Sequence, residues 1–435
     1  MWPSHDSQSY ALYQRALKVM PGGVTRVAPW QEPYPVYVHS GSGARVTDVD
    51  GKVYIDFINN FASLIHGHAH PRIVEAVTRQ LPLGTAFTLP TETEVALAEL
   101  LCERVPSFEQ ARFCNSGTEA VMMAVKAARA FTRRPKIAKI EGAYHGMYDY
   151  VEVSLDSAPG NWGNDPNRVA YARGTPQGVL DDVVVIPFNQ PETAARILLA
   201  QGDEIAAVLL DMMPLYTGGV PATKEYLNAV FDAAKRIGAV TILDEVVSFR
   251  LGPQGGQGLL GLSPDMTTVA KIIGGGFPVG AICGRKEVMA VFDQRQGKPL
   301  MPSSGTFTAN PVSMTAGLVS MQMLTPAVFA ALDEMGAYAR QLIKEAIAQS
   351  GYPGQVTGLG SIFKIHMHNR PITEYRSAYA TLAEDHAMHD LQQRLLIRGY
   401  LISTKAMGFL STPMTRGDLE GFAAALKEEL AATPH

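Results

Sequence analysis

Beyond residue 70 the chain alternates two patterns of hydrophobic and polar positions. Short, mainly apolar runs occupy 111–114, 136–140, 183–186, 206–210, 240–243 and 267–270. Such runs, bounded by polar or glycine-bearing turns, predict buried strands. Between them, 73–81, 92–105, 119–131 and 224–237 place apolar residues three and four apart, the spacing of an amphipathic helix. Strands separated by helices predict an α/β layer around a mostly parallel sheet. Ligands of such sheets bind beyond the carboxyl ends of the strands. The residues following each strand, at 115–118, 142–145, 211, 244–245 and 271, are therefore expected to share one crevice.

The flanks read differently. Residues 44–57 alternate around Asp50-Gly51 and predict a hairpin. An amphipathic stretch at 10–19 precedes Pro21-Gly22-Gly23 and a proline-rich patch at 29–35. Past 315 a helix at 326–350, a strand at 358–367, a helix at 384–398, a strand at 400–402 and a closing helix after Thr415 make an α+β unit. The expected division is 1–65, a segment packing with the small domain; 66–315, the large domain; and 316–435, the small domain. A chain of 435 residues exceeds what one small core organises.

Composition narrows the function classes. The net charge is −4, and no basic run exceeds Arg133-Arg134, so neither nucleic acid nor an acidic membrane is an expected partner. No stretch approaches the roughly 18 apolar residues of a membrane span. Residues 1–20 lack an apolar signal-peptide core. Cys102, Cys114 and Cys283 are few, odd in number and without metal-type spacing, which fits a reducing, cytoplasmic setting. His66, His68 and His70 alternate, but no carboxylate or cysteine joins them in the local run, so packing and loop hydrogen bonds are expected rather than a metal. No phosphate-binding loop of the nucleotide type occurs.

Three features carry chemistry. Lys271 ends an apolar run and precedes Ile272-Ile273-Gly274-Gly275-Gly276. Burial there depresses the amine pKa, as a Schiff-base lysine requires; alone, it also fits a lysine reaching out from a sheet edge. Asp244 ends the strand 240–243. Lysine with aspartate is the pair that recognises pyridoxal 5′-phosphate (PLP), the carboxylate keeping the pyridine nitrogen protonated; alone, Asp244 also fits a helix cap. Ser116-Gly117-Thr118-Glu119 has the capping-box pattern, and a helix start with a glycine is an anion site.

Together with Asn115-Ser116-Gly117-Thr118-Glu119-Ala120, the pieces Tyr144-His145-Gly146, Leu243-Asp244-Glu245-Val246, Lys271 to Gly276, Gly305-Thr306-Phe307 and Asn310-Pro311 occur in this order. The chain resembles the class III aminotransferases over roughly 15–425, in the branch of glutamate-1-semialdehyde aminomutases and β-amino-acid transaminases. The resemblance implies an α/β PLP-dependent transferase fold of type I and a homodimer with shared active sites. It implies that Lys271 forms the Schiff base and shuttles protons, and that Asp244 holds the pyridinium. Ser116, Gly117 and Thr118 bind phosphate, with Thr306 completing that site from the neighbouring subunit. Tyr144 stacks on the ring and Val246 packs its other face.

For substrate recognition, Met20 to Arg26 resembles the aminomutase segment in which Arg26 binds a carboxylate, and Trp30 is a candidate pocket wall. Two departures matter. Where the family has Glu-Pro, this chain reads Asp211-Met212-Met213-Pro214; and Lys405 stands in a stretch, 399–415, without the C-terminal arginine of relatives acting on β-amino acids. Lysine does not replace an arginine fork, which points to relaxed carboxylate recognition. The expected reaction is amino transfer from an amine or amino acid to a keto acid, with intramolecular aminomutase chemistry as the alternative. A PLP-binding regulatory module is the rival from another class; the sequence shows no helix-turn-helix or basic domain to support it.

Overall fold

In the computed structural model, which describes all residues except Met1, Ala28, Pro29, Gln296 and His435, one sheet orders the chemistry. Its seven strands run Gln110–Cys114, Gly280–Gly284, Met266–Ala270, Val240–Asp244, Ile205–Leu210, Lys136–Ile140, Val183–Ile186. Pairing is parallel except around Gly280–Gly284, which is antiparallel to both neighbours. This is the α/β layer with a mostly parallel sheet that the sequence predicts.

The strands are mostly apolar because both faces of the sheet are covered. Ile137, Leu209 and Ile242 face the helix Gly117–Thr132, whereas Ala138, Val208 and Leu243 pack under the helices Pro191–Ala200 and Lys224–Ile237. Alternation along each strand thus serves two cores instead of a core and a solvent face.

Strand Gly280–Gly284 was not legible as such in the sequence, and it matters for the site. Gly280 lies opposite Cys114 on one side and Ala270 on the other. Strands Gln110–Cys114 and Met266–Ala270 therefore point the same way and end at the same level, which brings Ser116 and Lys271 to one rim. Gly280 must be glycine: a β-carbon there would stand 2.1 Å from the Ser116 carbonyl oxygen.

Contacts divide the chain into two units: 72–330 with 371–379, and 1–71 with 331–370 and 380–435. The expected boundaries at 65/66 and 315/316 shift. Helix Pro311–Met323 belongs with the large sheet: Arg104 Nη2 donates to the Met321 carbonyl (2.8 Å), and Gly317 rests against the Ile273 carbonyl. Residues 371–379 return to the same unit, where Tyr375 Oη donates to the Ser157 carbonyl (2.6 Å).

The other unit has its own sheets. Val38–Ser42, Arg45–Asp48 and Val53–Asp56 form an antiparallel run that Tyr400–Leu401 extends in parallel. Gln355–Thr357, Ile362–His366 and Met407–Phe409 form the second sheet. The strand expected at 358–367 is present but begins at Ile362, because Gly358 and Gly360 take positive φ (134° and 55°) and turn the chain back onto Gln355–Thr357. Among the described residues no single helix is long and apolar enough to cross a membrane.

Candidate active site

Ser116 caps the helix Gly117–Thr132, its Oγ accepting from the Glu119 amide (3.1 Å). The Glu119 carboxylate reaches back to the Asn115 amide (2.5 Å), one residue beyond the N-cap amide that a reciprocal capping box would use. The first intrahelical bond runs from the Ala120 amide to the Ser116 carbonyl. The amides of Gly117 and Thr118 precede it and face outward at the positive end of a sixteen-residue helix.

Gly117 is the point of convergence. A β-carbon on it would lie 3.1 Å from both Val246 methyls and 3.5 Å from the Ala270 β-carbon. The helix start, the loop after Asp244 and the residue preceding Lys271 thus meet in one place. Gly146, at φ +94°, presses the loop after strand Lys136–Ile140 onto Thr118, whose Oγ1 accepts from the Met147 amide (3.3 Å). Tyr144 stands exposed in that loop beside Tyr216, with ring centroids 5.9 Å apart.

Asp244 is held by three donors. Its Oδ1 accepts from Thr268 Oγ1 (2.9 Å) and the Val246 amide (3.1 Å), and its Oδ2 from His145 Nδ1 (2.7 Å). The next residue, Glu245, turns away and accepts from the Gln257 amide (2.6 Å); burial pushes its carboxyl up to about 8. His145 is buried, and its Nε2 has no hydrogen-bond partner. His145 and Thr268 had no assigned role in the sequence reading. Their signal was a polar side chain at a buried position, interpretable only once the shared partner Asp244, 99 and 24 residues away, is known.

Lys271 follows strand Met266–Ala270 with φ +52°, a left-handed conformation that turns its side chain out of the strand's alternation. Burial pushes its amine down, opposed by the charges of Asp244 and Asp211. Asp211 Oδ1 accepts from the Met213 amide (2.8 Å), and burial together with Asp244 pushes this carboxyl up to about 7. Lys271, Asp211, Val246 and Ser116 to Thr118 are each partly open, whereas the strands Ile205–Leu210, Val240–Asp244 and Met266–Ala270 are buried throughout. They line a crevice.

Thr306 is exposed on a turn, two residues before Thr308, whose Oγ1 accepts from Asn115 Nδ2 (3.3 Å). Arg26 and Trp30 lie in the other unit. Arg26 Nη1 donates to Asn60 Oδ1 (2.7 Å), and Asn60 sits in a left-handed turn, Asn59–Ala62, with φ between 48° and 72°. Lys405 Nζ is 3.6 Å from Asp385. His68 Nε2 meets Asp56 Oδ2 at 2.8 Å, a carboxylate from the preceding strand.

Residues 26–404 match the family model for class III aminotransferases. A glutamate-1-semialdehyde 2,1-aminomutase from Methanothermobacter thermautotrophicus is 38% identical over 85% of this chain and 86% of its own. An omega-transaminase from Sphaerobacter thermophilus is 49% identical, with a TM-score of 0.96 over 98% of this chain and 97% of that one. A transaminase solved with PLP bound is 46% identical, with a TM-score of 0.91 and the same coverage.

Proposed function

The chain belongs to the class III aminotransferase family, and from that premise we propose that it is a transaminase, moving an amino group from an amine or β-amino acid to a keto acid such as pyruvate or 2-oxoglutarate. Its cofactor is PLP. The observation that carries the reading is the convergence at Gly117, where an enclosed lysine, a three-fold-anchored carboxylate and a helix start share one crevice.

The residues suit that cofactor. The outward amides of Gly117 and Thr118 and the hydroxyls of Ser116 and Thr118 hold its phosphate; Ser116 Oγ only accepts from Glu119, so its own proton is free to donate. Asp244, fixed by its three donors, would pair with the ring nitrogen. Tyr144 and Val246 would hold the ring from its two sides. When bound, PLP supplies the electron sink that makes the substrate's carbon acidic. Lys271 Nζ holds the cofactor and carries the proton to and from that carbon, for which burial favours the neutral amine. Thr306 completes the phosphate site of a second copy in a homodimer.

Transamination is preferred because chains named as transaminases stand at 49% and 46% identity, above the 38% aminomutase. The aminomutase relatives favour a second reading, amino transfer within one molecule. An assay with separate donor and acceptor decides: a transaminase needs the external keto acid, whereas a mutase forms isomer without it. With Lys405 lying near Asp385 and no arginine between 399 and 415, carboxylate recognition rests on Arg26 and is relaxed. Comparable kcat/KM for an amino acid and its decarboxylated amine supports this; strict dependence on the carboxylate contradicts it.

A further inference from the structure

Three loops that follow strands of the large sheet meet one short segment, 371–379, which reaches them from late in the chain. The Tyr375 ring lies against Gly142, at φ +74°, where a β-carbon would stand 2.0 Å from it. Ile372 and Ala378 crowd Gly218, at φ +106°, coming within 2.4 and 3.0 Å of such a carbon. Asn189 Nδ2, in the third loop, donates to the Thr373 carbonyl (3.0 Å). A side chain at either glycine would collide, so the segment sits directly on the backbone of both loops.

The segment is built to hold its shape. Its helix Tyr375–Ala378 carries a reciprocal cap: Glu374 accepts from the Arg376 and Ser377 amides (2.9 and 2.7 Å), and Ser377 Oγ from the Glu374 amide (3.0 Å). Tyr375 is buried, and its hydroxyl donates to the Ser157 carbonyl (2.6 Å). Arg376 is tied to Glu141 and to the Gly163 carbonyl. Each crowded glycine lies two residues from an exposed tyrosine, Gly142 before Tyr144 and Gly218 after Tyr216. The two tyrosine rings stand 5.9 Å apart at 41°. Past Tyr144 the first loop is fixed again, by His145 on Asp244 and by Gly146 on Thr118. The backbone of Tyr144 is thus set from both sides, and Tyr375 makes the contact that precedes it.

We propose that Tyr375 is a positioning residue: seated on Gly142, it sets Tyr144 against Tyr216 and thereby holds Tyr144 where it meets the cofactor ring. This rests on the reading that Tyr144 packs against that ring.

The test is a cycle of Tyr375→Leu and Tyr144→Ala. Each variant is read by equilibrium dialysis of PLP and by the visible circular dichroism of the bound cofactor, which reports how the ring is held. Tyr375→Leu should weaken PLP binding about fivefold, the scale of one aromatic contact, and reduce the dichroism per bound cofactor. With Tyr144 already alanine, the same substitution should change affinity by less than about twofold and leave the dichroism unmoved. Tyr375→Phe keeps the ring on Gly142 and should bind PLP within about twofold of the parent. An equal loss in both backgrounds, no loss in the parent background, or no rescue by phenylalanine overturns the proposal. If Tyr375→Leu does not fold, Ile372→Ala, which loosens the same segment over Gly218, must show the same dependence on Tyr144; an equal or absent loss overturns the proposal. Tyr144→Ala with unaltered affinity and dichroism would overturn the reading beneath, and the proposal with it, whatever Tyr375→Leu does.

Discussion

Gly117 and Val246 are packed so closely that a β-carbon on the glycine would sit 3.1 Å from both valine methyls. The valine must give by a few tenths of an ångström to admit it. Gly117 opens a helix and does not take positive φ, so alanine suits the backbone. Gly117→Ala should lower PLP affinity several-fold while the thermal midpoint of the cofactor-free protein stays level or rises slightly. Equilibrium dialysis and a melting curve separate the two effects; unchanged affinity would remove Gly117 from the cofactor site.

Asp244 is held by Thr268, His145 and the Val246 amide, so an amide in its place meets the same donors with one acceptor oxygen too few. Asp244→Asn should lower kcat by about 100-fold or more, the usual scale for losing a charged contact at a reacting centre. Steady-state rates at saturating cofactor test this. A loss confined to cofactor affinity, with kcat preserved, would assign Asp244 to binding alone.

Arg376 donates from Nε to Glu141 Oε2 (2.9 Å) and from Nη1 to the Gly163 carbonyl (2.7 Å), and the glutamate is buried. Arg376→Ala strands that carboxylate with Ser157 Oγ as its remaining side-chain donor (2.9 Å). The expected cost is about 3 kcal/mol, read as a lower denaturant midpoint at constant slope. A change below about 0.5 kcal/mol would mean that solvent reaches Glu141 when the arginine leaves.

How much of this was legible in the sequence depended on the range of each interaction. Ser116 as a cap, the hairpin across 45–56 and the strand ends at Asp244 and Lys271 follow from neighbours in sequence, and the structure has them there. Strand Gly280–Gly284 was missed because Gly-Ala-Ile-Cys-Gly has weak strand propensity; two flanking strands impose it. The return of 371–379 to the large sheet rests on Tyr375 and Arg376 meeting partners more than 200 residues earlier. His145 was visible beside Tyr144, but its role needs Asp244, and that pairing is a product of the fold.

Asp211 gives a pH signature. Its folded pKa is raised to about 7, so the folded state binds a proton that the unfolded chain, near 3.8, has released. The resulting stability is complete below the unfolded pKa and is lost as pH rises through about 7. Glu245, raised to about 8, acts in the same sense, whereas His145, pushed down, costs stability as pH falls below its ordinary range. Melting the cofactor-free protein from pH 4 to 8 should show Asp211→Asn losing less stability than the parent as pH rises. Parallel curves would mean that Asp211 is ionised throughout.

The account stands on Lys271. Its left-handed backbone turns it out of the strand, burial lowers its amine pKa, and Gly117, Val246 and Ala270 meet beside it. Lys271→Ala should still bind PLP through the helix start and Asp244, while single-turnover transfer from a competent amine donor falls at least 1,000-fold, on the scale of losing covalent and acid–base catalysis together. Retained cofactor with turnover lost is the predicted result. Amino transfer at the parent rate in Lys271→Ala would contradict the central claim.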